Sequence, residues 1–118
     1  MMRKTFIAGI CLVVIFIACS KSSDDNPPAP NTPDCSGAAK TFSADVSPVI
    51  ASSCAVSSCH APGSTNGPGA LTNYTQVFNA RSAIRTAVAN GTMPKSGTLS
   101  NAQKNAILCW IDNGAANN

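Results

Sequence analysis

The placement of cysteine constrains this chain more than any other feature. Four of its six cysteines, Cys35, Cys54, Cys59 and Cys109, fall between residue 35 and residue 118. The same stretch contains only four aromatic side chains, Phe42, Tyr74, Phe78 and Trp110. So small a domain with so thin an apolar core needs a staple, either a cross-link or a bound metal or cofactor. What the thiols are used for therefore decides what the domain can be.

The N-terminus sets the redox compartment. Met1-Met2-Arg3-Lys4 is a short positive segment, followed by an apolar run from Phe6 to Ala18 and then by Cys19. The run is too short to cross a hydrocarbon core of ~30 Å as a helix, and a small residue directly before cysteine suits cleavage there. Residues 1–19 thus read as a lipoprotein signal peptide with Cys19 as the lipidated N-terminus. Cys11 leaves with the signal, and an uncleaved anchor with Cys19 as an ordinary thiol is the other reading. Either way the domain lies outside the cytoplasm, in the periplasm or at the cell surface, tied to a membrane. Thiols there should be paired or covalently used.

Residues 20–34 follow with four prolines and no aliphatic side chain larger than Ala29, the composition of an extended tether. Asp24 and Asp25 solubilise it. Without Arg3 and Lys4 the chain has six basic and five acidic residues. That balance excludes nucleic acid as a natural partner. From Lys40 onward five basic residues face two acidic ones, a mild excess that would steer an acidic redox partner.

The folded domain spans 35–118 and reads as all-α. Phe42, Val46, Val49 and Ile50 share one helical face, predicting a helix over 43–53 with Asp45 as its cap and Pro48 in its first turn. Residues 61–69, A-P-G-S-T-N-G-P-G, forbid regular structure and mark a wrapping loop. Thr72 is placed to cap a short helix carrying Tyr74, Val77 and Phe78. A second stretch from Ala80 to Val88 stops at Asn90-Gly91. In the last helix Ser100 and Gln103 form a capping box, Ala106, Ile107, Trp110 and Ile111 form the stripe, and Gly114 ends it.

The chemistry concentrates in C-A-V-S-S-C-H, with Cys54, Cys59 and His60. Two close thiols followed by an adjacent histidine resemble the haem-attachment motif C-x-x-C-H, here with two more residues in the gap. On the residues alone a local Cys54–Cys59 disulfide beside an exposed His60 is equally open. A zinc site is disfavoured because Cys59 and His60 are sequential and free thiolates do not persist outside the cytoplasm. Hydrolytic chemistry has no support, since the folded part offers only Asp45, Asp112 and His60. Met93, in T-M-P, lies in a loop with no helical face to pack, and a thioether is a soft ligand suited to ferrous iron.

The order of these parts resembles the class I cytochrome c family from Phe42 to Asn113, most closely small secreted domains of Bacteroidetes lipoproteins. The shared features are a helix running into the cysteine motif, a loop, a Met-Pro, then L-S-x-x-Q and a terminal helix ending W-I-D-N-G-A. The resemblance implies a small domain of three to five short helices and long loops around one covalent haem c. Cys54 and Cys59 would be its thioether sites, His60 the proximal iron ligand and Met93 the distal one. Val49, Ile50, Leu71, Val77, Ile84, Leu99, Ile107 and Trp110 would surround it. Because the first and last helices of that family cross, a Cys35–Cys109 disulfide is sterically reasonable. The function implied is single-electron transfer to redox partner proteins, with no small-molecule substrate and no enzymatic activity. The alternative is a haem-free helical lipoprotein held by Cys54–Cys59 and Cys35–Cys109 disulfides and acting as an interaction module.

Overall fold

The first helical segment starts earlier than its apolar face predicts, because Thr41 rather than Asp45 is its cap. In the computed structural model, which describes residues 32–118, the Thr41 hydroxyl accepts from the Ala44 N–H at 3.3 Å. Asp45 reaches back, its carboxylate accepting from the Thr41 N–H at 2.8 Å and hydroxyl at 3.0 Å. The signal segment, Cys19 and the tether as far as residue 31 lie outside the described residues. Phe42–Val46 form a π-helical turn, and α1 (Ser47–Ser53) continues from it with Pro48 at its start. The proline has no N–H to give and its ring presses on the carbonyl one turn earlier, so a wider turn immediately before it relieves the conflict.

A single helix, α2 (Tyr74–Ala89), replaces the two short ones expected. Phe78-Asn79-Ala80 contains neither glycine nor proline, and nothing there breaks the hydrogen-bond ladder. Its cap is Asn73, whose side-chain oxygen accepts from the Gln76 N–H at 3.0 Å. Thr72 stands one residue outside and donates its N–H and hydroxyl to the Gln76 side chain. The helix ends at Asn90-Gly91 as the sequence indicates, with Gly91 at φ 74°.

The third helix, α3 (Asn101–Asp112), has the capping box its sequence predicts, with Ser100 and Gln103 exchanging hydrogen bonds. From Ala106 to Trp110 every residue of α3 is buried. It packs against α2 and against the π turn, which makes it the centre of the molecule. The contact of N-terminal with C-terminal helical segments expected for the domain thus runs through Phe42–Val46. All four aromatic side chains meet there. Phe42 lies edge-on to Tyr74 at 5.2 Å and 5.5 Å from Trp110, and Tyr74 touches Phe78 at 5.5 Å. The Arg81 guanidinium covers the Phe78 ring at 3.9 Å. The Trp110 Nε1–H donates to the Ala116 carbonyl, and the Tyr74 hydroxyl to that of Ala115, so both rings bury their apolar bodies and satisfy their polar tips.

Covalent and polar straps close the fold. Cys35 and Cys109 form a disulfide, which ties the entry segment to α3, and the Asp34 N–H donates to Asn105 beside it. Arg85 of α2 grips Asp112 of α3 through paired bonds of 2.6 and 2.9 Å. The described residues contain no strand and no helix long and apolar enough to cross a membrane.

Two consequences are measurable. The disulfide closes a loop with a sequence separation of 74 residues. Replacing Cys35 and Cys109 together by serine should lower the unfolding free energy in urea by about 4 kcal/mol. Asp45 is the second case: the Thr41 N–H, then the Thr41 hydroxyl, then nearby Lys40 hold its carboxyl below the ordinary 3.8. Its native pKa is the lower one, so its stabilisation is present above pH 3.8 and lost as pH falls through the native value. Asp45→Asn should flatten the acid limb of the stability curve, measured by thermal unfolding between pH 5 and about pH 2.

Candidate functional site

The cysteine motif begins where α1 ends. Cys54 is the cap residue, its N–H donating to the Ile50 carbonyl at 2.9 Å. The four residues of the gap then close a turn on themselves. Cys59 donates its N–H to the Val56 carbonyl, Ser58 occupies the left-handed region at φ 68°, and the His60 N–H returns to the Cys54 carbonyl at 2.9 Å. The two additional residues are thus absorbed in an outward turn, with Val56, Ser57 and Ser58 exposed. Cys59 and His60 are brought back beside Cys54.

Both thiols are unjoined and half-buried. Burial, with the neighbouring Cys59 adding to it, pushes the Cys54 thiol above its ordinary value. Cys54 is therefore a neutral thiol at neutral pH. The local Cys54–Cys59 disulfide of the alternative reading is not formed, whereas the Cys35–Cys109 bond is.

His60 is not the exposed loop histidine of that alternative, being only 7% accessible. The loop 61–70 wraps it. The His60 carbonyl accepts from the Leu71 N–H at 2.9 Å, closing the base of the loop. At its tip the Nδ1 of His60 lies 2.8 Å from the Gly69 carbonyl oxygen. A carbonyl only accepts, so Nδ1 holds a proton, and in the neutral imidazole Nε2 has the lone pair. Among the described residues Nε2 has no hydrogen-bond partner, and no side-chain nitrogen or oxygen there is both sealed from solvent and unpartnered. The lone pair is therefore accessible. Gly67 comes close to the ring, a Cβ built there lying 3.8 Å from Cε1.

The loop has its own internal frame. The Ser64 hydroxyl donates to the Cys59 carbonyl, and the Asn66 carboxamide donates to the carbonyls of Ser58 at 3.0 Å and Cys59 at 3.1 Å. The Asn66 carbonyl in turn accepts from the Gly69 N–H at 2.9 Å. Residue types predict a wrapping loop over 61–69. They do not predict that Asn66 and Gly69 serve the histidine, because no periodicity encodes such contacts.

Met93 stands on a different loop, after α2. It is half-buried, its N–H is held by the Ala87 carbonyl at 3.1 Å, and the Met93–Pro94 peptide is cis. Its sulfur has no hydrogen-bond partner among the described residues. Of the residues expected to surround a haem, Ile50, Leu71, Val77, Ile84, Leu99, Ile107 and Trp110 belong to one apolar cluster, with Val49 packed on its edge. A cleft of about 240 Å³ opens between α1 and the start of α2, lined by Phe42, Ile50, Ala55, Leu71 and Val77 among others. Among the described residues no group of three or more His, Cys, Asp or Glu side chains is placed to hold a metal ion.

No family model matches the chain, and no curated protein or solved structure matches it either.

Gly69 is the position on which the imidazole depends most directly. It sits at φ 87°, and a Cβ there would lie 3.4 Å from the Ser64 carbonyl oxygen. Gly69→Ala should cost about 1–2 kcal/mol in urea unfolding. It should also speed acylation of His60 by diethyl pyrocarbonate. Since His60 is the chain's single histidine, the reaction reports it alone.

Proposed function

We propose that this chain is a monohaem c-type cytochrome, an electron carrier of the bacterial cell envelope anchored through lipid on Cys19. The observation that carries the reading is the His60 imidazole, with Nδ1 committed to the Gly69 carbonyl and Nε2 without a hydrogen-bond partner among the described residues, on the same turn of chain as two unjoined thiols. Iron-binding histidines characteristically donate their other nitrogen to such an acceptor, which fixes the tautomer and raises ligand basicity. The donor set suits iron porphyrin chemistry, which needs one neutral imidazole and two thiols that are not joined to each other.

Cys54 and Cys59 would hold the porphyrin covalently, each S–H adding across one vinyl C=C with the sulfur going to one carbon and the hydrogen to the other, so that no oxidant or reductant would be consumed. His60 through Nε2 and Met93 through its thioether, a soft donor that favours the ferrous state, would hold the iron. The bound haem would supply one Fe(III)/Fe(II) couple. The apolar cluster of Ile50, Leu71, Ile84 and Ile107 would limit water around the group, which together with the ligands His60 and Met93 would tune the potential. The chain transforms no small-molecule substrate, and its partners are redox proteins of the envelope, reached by a tether on residues 20–34.

Expression of the full chain together with haem-maturation machinery tests this. The denatured polypeptide should retain haem covalently, and Cys54→Ser with Cys59→Ser should abolish retention. A polypeptide free of haem would instead favour the haem-free lipoprotein. Met93→Ala should keep the covalent haem, lower the potential and open the sixth position to cyanide or carbon monoxide. An unchanged spectrum and potential would remove Met93 from the ligand set.

A further inference from the structure

The two additional residues of the cysteine motif leave the carbonyls of Ser58 and Cys59 facing the loop that follows. One side chain takes both: the Asn66 carboxamide donates to Ser58 at 3.0 Å and to Cys59 at 3.1 Å. The Asn66 N–H is in turn held by the Ser64 hydroxyl at 3.2 Å, and that hydroxyl donates to the Cys59 carbonyl. With its side chain fixed to the motif, the Asn66 main chain has one remaining task. Its carbonyl receives the Gly69 N–H at 2.9 Å, and the Gly69 carbonyl lies 2.8 Å from the His60 Nδ1. A short relay of hydrogen bonds therefore starts on the cysteine turn and ends on the histidine that follows it.

We infer that Asn66 is the positioning residue of His60, clamping the cysteine turn to the loop so that the Gly69 carbonyl fixes the imidazole as the Nδ1–H tautomer. Asn66 is itself exposed, and none of its hydrogen bonds goes to the imidazole ring or to a thiol. Its effect on chemistry passes through Gly69. Asparagine suits the task because one NH₂ group supplies two donors to two acceptors. Aspartate, of equal size, would aim a charged acceptor at two carbonyl oxygens and turn attraction into repulsion.

The inference rests on the electron-transfer reading for its purpose, while the relay is testable without haem. Nitrogen-15 NMR of the haem-free chain reports a single imidazole, because His60 is the only histidine. Recorded where the imidazole is neutral, the parent should show predominantly the Nδ1–H form. Asn66→Ala and Asn66→Asp should both shift it to predominantly the Nε2–H form while the helical circular dichroism stays at the parent level. Persistence of the Nδ1–H form in both variants would overturn the proposal. In the haem-loaded chain Asn66→Asp should raise the reduction potential, because an imidazole that donates less strongly is a weaker base toward Fe(III). A potential equal to the parent's would likewise overturn it. Failure of the parent chain to take up haem would refute the electron-transfer reading alone and leave the tautomer result standing.

Discussion

Between Ala106 and Trp110 five successive residues of α3 are buried, so over that stretch the helix has no face toward water and must be enclosed from every direction. The chain has few large side chains with which to do this. It packs α2 and the π turn against α3, and gathers its four aromatic rings, one from the π turn, two from α2 and Trp110 of α3 itself, where these elements meet. The entry segment completes the enclosure through a covalent bond, Cys35 to Cys109, rather than through packing. That choice follows from composition: residues 36 to 39, Ser-Gly-Ala-Ala, have almost no apolar surface to bury.

The candidate site depends on this enclosure only indirectly. Ile50 in the core fixes the last turn of α1, and the carbonyl of Ile50 receives the N–H groups of Cys54 and Ala55. Leu71, also in the core, fixes the other end of the loop and gives its N–H to His60. Between these two anchors the polypeptide runs from one cysteine to the far side of the histidine with no regular structure. Its order comes from hydrogen bonds of Ser64, Asn66 and Gly69, each placed by a turn. A scaffold of short helices thus holds a loop, and the loop holds the imidazole.

Helix existence was legible in the sequence wherever capping chemistry and apolar period agreed. Ser100 and Gln103 gave α3 its start, and Asn90-Gly91 gave α2 its end. Boundaries shifted where a second residue shares the capping with the one the sequence marks. Thr41 and Asp45 share one capping arrangement in which each binds the other, and Thr72 and Asn73 divide the work at α2. The π turn was not legible, because it answers a local conflict around Pro48 that periodicity does not register. In the site, Cys54, Cys59 and His60 were marked by residue type and spacing, but the burial of His60 was not. It depends on the loop between His60 and Leu71, whose glycines and prolines signal only that the chain turns. The cysteine pairing of 35 with 109 came from the resemblance to class I cytochromes, and the structure contains it.

The proposed function rests on one claim, that iron rather than a pair of thiols is the redox centre. A spectroscopically monitored potentiometric titration of the full chain, produced with haem-maturation machinery, addresses it most directly. The account requires one reversible wave with the Nernst slope of a single electron, accompanied by the absorption changes of a haem. A colourless chain whose only couple is a two-electron wave, abolished by Cys54→Ser, would contradict it and assign the redox chemistry to the Cys54–Cys59 dithiol.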